Sequence, residues 1–225
     1  MATTTINVTN QSYTTVKEES TALTQRNVLK FTGSGVTAAD SGGETVVTIP
    51  GAAATTNVGL FAQTANSTAI TNTTTESSLV GSGVGSLTVP ANTFKVGDSF
   101  HAKLIGNISC NGSATIEIKA KADGITLADT GVINLDASTD RTWEINIYFT
   151  IRAIGGAGVA SIVSGGIFSY LKNSGANFEG TNFSIINNST FDTTINNTLD
   201  ITAKWGSAST SDSIYTELFI LNKMY

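Results

Sequence analysis

This sequence has almost none of the residues that do chemistry. It has one cysteine and one histidine in 225 residues, and charged side chains make up only 13% of it. A lone Cys110 excludes an intrachain disulfide. It sits at a strand end running into Asn111-Gly112, and it reads as a small residue packed in or near the core rather than a reactive thiol. A lone His101 means that any histidine-based dyad or metal cluster must include it. Its neighbours Phe100 and Ala102 place it on a strand, where a polar side chain on a solvated or interface face is the simpler reading. One His and one Cys per chain nearly exclude a zinc site, so no cofactor or metal is expected. Basic residues are also few: 12 Lys and Arg stand against 17 Asp and Glu, with a net charge of −5. That balance leaves no footprint for nucleic acid and no polybasic attraction to an anionic membrane. No run approaches the ~18 apolar residues of a membrane-spanning helix, so no membrane insertion is expected. The start Met1-Ala2-Thr3-Thr4-Thr5 has neither the basic residues nor the apolar run of a secretory signal. Synthesis and folding in a cytoplasm is therefore the expectation.

What is present is Thr, Ser, Asn and Gly beside 40% hydrophobic residues. Thr suits a pleated strand, and Asn, Ser and Gly suit the turns between strands. Strand signals recur along the chain. Phe100, Ala102, Leu104, Gly106 and Ile108 alternate with His101, Lys103, Ile105 and Asn107. Ile116, Ile118 and Ala120 alternate with Glu117, Lys119 and Lys121. Trp143, Ile145, Ile147, Phe149 and Ile151 alternate with Glu144, Asn146, Tyr148, Thr150 and Arg152, a long strand with one buried face. Five such side chains at roughly 1.5–3 kcal/mol each contribute on the order of 10 kcal/mol before entropy is subtracted. A strand from Ser161 to Tyr170 carries Gly165-Gly166, where a bulge is expected. Leu199, Ile201, Ala203 and Trp205 alternate in turn. About eight strands fit a jelly-roll-like antiparallel β-sandwich. The chain therefore reads as all-β, with three parts: an N-terminal arm (1–27), a β-hairpin shaft and linker (28–56) and a sandwich head (57–225).

The arm is polar and Thr-rich, too poor in apolar residues to build a core, and reads as a segment ordered by a partner. In the shaft, Leu29 and Phe31 alternate on one β run and Val47 and Ile49 on another, around Asp40-Ser41-Gly42-Gly43. A lone hairpin of this kind is marginal in water. The final strand is apolar on both faces at Leu218-Phe219-Ile220-Leu221. If Ile214, Leu218 and Ile220 face the core, Phe219 and Leu221 face outward and need cover, from another subunit or, in the alternative, from a loop over a central strand.

The run Leu29-Lys30-Phe31-Thr32-Gly33-Ser34-Gly35-Val36, then Asp40-Ser41-Gly42-Gly43, then Thr45-Val46-Val47-Thr48-Ile49-Pro50-Gly51, resembles a module of bacteriophage tail-fibre, head-fibre and related virion proteins. The end of the chain, from Thr198 through Trp205 to Lys223, is similar to C-termini of phage and large-virus particle proteins. The resemblance implies a homotrimer in which three hairpins wrap a common axis as a short β-prism shaft below a distal β domain. The interface residues expected on these grounds are Leu29, Phe31, Val47, Ile49, Phe219 and Leu221.

No catalytic residues are expected. Asp136-Ala137-Ser138-Thr139-Asp140 lacks the glycine and terminal glutamate of a calcium loop. The Gly-rich stretches are not followed by helical patterns, and no nucleophile elbow appears. The leading expectation is a non-enzymatic virion structural protein, a trimeric head or tail fibre or spike held to other virion proteins by its arm. A host-surface glycan is a further candidate partner, met by turns such as 173–178 and 187–190. The alternatives are a jelly-roll capsid or capsid-cement subunit and, less favoured, a glycan-active fibre enzyme using paired carboxylates.

Overall fold

The computed structural model describes residues 17–18, 21–22, 37–41, 44–48, 58–174 and 177–225. The chain divides into two units, Met1–Ala54 and Thr55–Tyr225. In the first, β1 (Lys17–Glu18) pairs antiparallel with β2 (Thr21–Ala22), and β3 (Thr37–Ser41) pairs antiparallel with β4 (Glu44–Thr48). Ser41 lies opposite Glu44, so Asp40 and Ser41, expected in the turn, belong to the strand. Of the anticipated shaft contacts, Val47 is half-buried, whereas Leu29, Phe31 and Ile49 lie outside the described residues.

The second unit is an antiparallel sandwich. Its strands are β5 (Val58–Gln63), β6 (Ile70–Thr71), β7 (Ser77–Ser78), β8 (Gly83–Gly85) and β9 (Thr88–Val89), followed by eight longer ones. These are β10 (Ser99–Cys110), β11 (Thr115–Ala122), β12 (Ile125–Asn134), β13 (Ser138–Ala153), β14 (Ser161–Leu171), β15 (Phe178–Asn187), β16 (Asn197–Trp205) and β17 (Ser213–Lys223). One sheet has eight strands, ordered β15-β14-β13-β10-β17-β5-β8 with β6 on β17. The other has five, ordered β12-β11-β16-β7 with β9 on β16. The last two long strands wrap the first two, β17 on β10 and β16 on β11, in the jelly-roll manner. The β11–β12 hairpin and the β13-β14-β15 meander each stay within one sheet.

Alternation decides what is buried. In β10 and β11 every second residue is buried along the whole strand, and in β13 Trp143, Ile145, Ile147, Phe149 and Ile151 all face the core. Both tryptophans are fully buried and keep a partner for the indole N–H. Trp143 Nε1 donates to the carbonyls of Asn107 and Tyr215 at 3.0 and 3.1 Å, and Trp205 Nε1 donates to that of Ile70 at 2.9 Å. Gly106 lets Trp143 reach them, since a Cβ there would stand 2.9 Å from the indole nitrogen.

Two expectations change. Gly165 and Gly166 lie in unbroken register with Tyr148 and Ile147, with no bulge between them. Glycine is needed at 166 for close approach, because a Cβ would collide with the Asn146 carbonyl. The phase of the last strand is also reversed. Phe219 and Leu221 are buried in the sandwich, while Leu218 and Ile220 are 38% and 36% exposed. Opposite β10 the register passes from Ile105↔Leu218 to Gly106↔Thr216, so Glu217 is an extra residue. That bulge allows Ile214 and Thr216 on one side of it, and Phe219 and Leu221 on the other, all to face inward.

Candidate functional site

Among the described residues, His101 and Cys110 stand apart from one another, and each holds structure. His101 lies on the outer face of β10, stacked on Tyr148 of β13 at 4.5 Å and 8°, with Nε2 3.3 Å from Asn146 Oδ1. Cys110 is buried at the end of β10, where its thiol donates to the Asp136 carbonyl at 3.4 Å. Burial pushes that thiol up from its ordinary value, which keeps it protonated and unreactive.

Two carboxylates do approach one another, Asp136 and Glu179, but Lys172 lies on both, at 2.9 and 3.1 Å. The hydrogen bond from Lys172 holds Asp136 below its usual range. Glycoside hydrolysis by paired carboxyls needs one to keep its proton as the acid. Here Asp136 is charged and neutralised by an ammonium. Tyr170 completes the cluster: its hydroxyl accepts the Asp136 N–H at 2.7 Å and donates to Glu179 at 3.4 Å. Burial pushes that phenol up to about 12. The group ties the β12–β13 connection to β14 and β15.

Asp140 accepts from Asn107 Nδ2 at 2.6 Å, rather than turning toward Asp136. Among the described residues, no three His, Cys, Asp or Glu side chains are grouped to hold a metal ion. In the turns expected to meet a glycan, Asn173 and Asn187 each bond within the protein, and residues 175–176 lie outside the described residues. Asn187 Oδ1 accepts the N–H groups of Ser189, Thr190 and Phe191. Asn173 Oδ1 accepts from the Thr139 N–H and Arg141 Nε. A small, mainly apolar pocket of about 50 Å³, partly open to solvent, lies among Phe94, Phe100, Phe149 and Phe191 with Asn197 on its wall.

What distinguishes this unit is the difference between its two outer faces. On the five-stranded sheet, Lys119 pairs with Glu117 at 3.1 Å and with Asp129 at 3.8 Å. Lys121 pairs there with Glu76, and Ser78 donates to Asp200 at 2.6 Å. Lys204 and Val132 are also exposed on that face, which is otherwise charge-paired and suited to water.

The eight-stranded sheet presents Tyr148, Ile167 and Ile186 outward, 50%, 58% and 54% exposed, together with Leu218, Ile220 and Val84. Cross-strand pairing aligns them. Val84, Ala62, Ile220, Lys103, Asn146 and Ile167 form one row. Val163 and Ile186 are paired four residues along the strands from its Ile167 end. Between the apolar flanks stand His101, Lys103, Glu144 and Asn146, and neither Lys103 nor Glu144 forms an ion pair among the described residues. Two exposed apolar flanks on one sheet face, on either side of a polar centre, mark a surface suited to be covered.

The sequence carried a signal for it. Tyr148, Ile167 and Ile105 occupy the polar phase of alternating strands, where an apolar residue has no core to enter. Leu218 and Ile220 gave no such signal, because the bulge at Glu217 reassigned their phase.

No family model and no curated protein matches the chain. Among solved structures, the CBM2 module of Lactobacillus casei BL23 phage J-1 evolved Dit is similar over 61% of this chain and 68% of its own, at 12% identity and a TM-score of 0.28.

Proposed function

We propose that the chain is a non-enzymatic structural protein of a virus particle, a homotrimeric fibre or spike on a phage head or tail. The observation that carries this reading is the hairpin β3–β4, which stands in a unit apart from the sandwich. Thr37, Ala39 and Thr48 are exposed on it, and Val47 is half-exposed. A two-stranded hairpin is marginal by itself in water, and in this reading further copies of the chain cover it. The resemblance of residues 29–51 to a fibre module supports the same arrangement. So does the use of the sandwich's acids, histidine and cysteine to hold turns and strands. In this reading the arm attaches the trimer to other virion proteins and the sandwich faces the medium.

Light scattering coupled to size exclusion tests the assembly. Three chains of 23.3 kDa give a particle of about 70 kDa. A monomer at micromolar concentration overturns the trimer. Antibody labelling of purified particles tests the location, and label absent from intact virions overturns the virion assignment.

A further inference from the structure

We infer that the outer face of the eight-stranded sheet is the contact between sandwiches of neighbouring copies, one apolar flank packing on the other flank of the next chain. This rests on the homotrimeric reading above and names the surface that the larger unit contributes to it.

Two observations select a second copy of this chain as the occupant. The first is the contrast in charge. The five-stranded face pairs Lys119 and Lys121 with carboxylates and leaves Lys204 without an ionic partner among the described residues, while the eight-stranded face leaves Leu218, Ile220 and Val84 exposed on one side and Ile167 and Ile186 on the other. The second is complementarity within the face. Lys103 and Glu144 stand on adjacent strands near its middle without an ionic partner of their own among the described residues. Copies brought together can pair the lysine of one with the glutamate of the next.

Two distinct flanks favour a head-to-tail contact, in which flank one of each chain meets flank two of the next. Such contacts close a ring when the rotation between copies is a simple fraction of a turn, as it is for three. A face that paired with itself about a two-fold axis would place each flank on its own copy.

Cysteine cross-linking of the full chain separates these arrangements. Ile220 and Ile167 lie in one cross-strand row, three strand steps apart. That is about 14 Å, beyond the ~7 Å Cα separation that a disulfide spans. A disulfide between positions 220 and 167 can therefore form only between chains. With Cys110→Ser as background, the double variant Ile167→Cys/Ile220→Cys is oxidised and run under denaturing, non-reducing conditions. The expected main product is a covalent trimer that thiols convert to monomer. Ile220→Glu provides a second readout and should raise the concentration for half-assembly by about tenfold or more.

A wild-type trimer whose double-cysteine variant stays monomeric on the gel overturns this face as the contact and leaves the trimer standing. Covalent dimers from either single-cysteine variant overturn the head-to-tail arrangement. A monomeric wild-type chain overturns both this inference and the assembly it rests on.

Discussion

Truncating Phe219 and Leu218 to alanine, one at a time, should give losses of different size and different kind. Phe219 is fully buried, faces Leu104 across the ladder and packs on Phe61 with ring centroids 5.3 Å apart. Phe219→Ala removes the burial of the ring, leaves a cavity that a two-sheet core closes only in part, and deletes an aromatic pair. Together these amount to about 3–5 kcal/mol. For a unit of this size the loss lowers Tm by on the order of 10 °C.

Leu218, one residue earlier, keeps 38% of its surface in solvent. Leu218→Ala should cost the isolated fold under about 1 kcal/mol. Its effect appears instead through assembly, and so depends on protein concentration. Urea unfolding followed by tryptophan emission measures both, at low and at high micromolar protein. The Phe219 loss should be the same at both concentrations, and the Leu218 loss should grow with concentration. Equal losses at dilution, or a larger one at Leu218, would refute the inward phase assigned to Phe219 and the bulge at Glu217 that produces it.

Three further outcomes follow from the same geometry. Gly106→Ala places a Cβ 2.9 Å from both Trp143 Nε1 and Thr216 Cα. It should destabilise by about 2–3 kcal/mol in urea melts, as overpacking does, with a red shift of tryptophan emission as the indole is displaced. Tyr170 has its phenol pushed up to about 12 by burial, so the folded state holds that proton more tightly than the unfolded chain does. Its contribution is complete below pH ~10 and is lost as pH rises toward 12. The difference between wild type and Tyr170→Phe in alkaline unfolding should therefore shrink across that window by on the order of 2 kcal/mol, and a pH-independent difference would contradict it. Cys110 is 5% exposed with its thiol held protonated. It should react with a thiol reagent at pH 8 at least about a hundredfold faster in denaturant than in the native protein.

Strand identity was legible wherever one face of a strand is buried and the other is wet. β10, β11, β13 and β16 follow this rule, because period-two alternation leaves no second way to place Trp143, Ile147 or Trp205. The same rule failed on β17, where Leu218, Phe219, Ile220 and Leu221 offer two equally apolar faces. Counting inward from Ile214 in steps of two reaches Thr216, Leu218 and Ile220, and counting back from Leu221 reaches Phe219. Both counts are partly right, because Glu217 is looped out of the ladder between them. Nothing local in Thr216-Glu217-Leu218 marks a bulge. The extra residue is stabilised by what lies across the sheet: Gly106, with no side chain, and the Trp143 indole donating to the Tyr215 carbonyl. The glycines at 165 and 166 misled in the opposite sense, since Gly166 serves the close approach of β14 to its neighbour β13 rather than a bend.

The sequence by itself determined an all-β chain with a large alternating core and almost no chemically reactive residues, since these depend on composition and on periodicity within single strands. Tertiary structure decided the inward turn of Phe219 and Leu221. It decided the capture of Asp136 and Glu179 by Lys172, and the separation of a charge-paired outer face from an apolar one. Each of these depends on which strand lies beside which, and that pairing joins residues far apart in the chain that no local pattern relates.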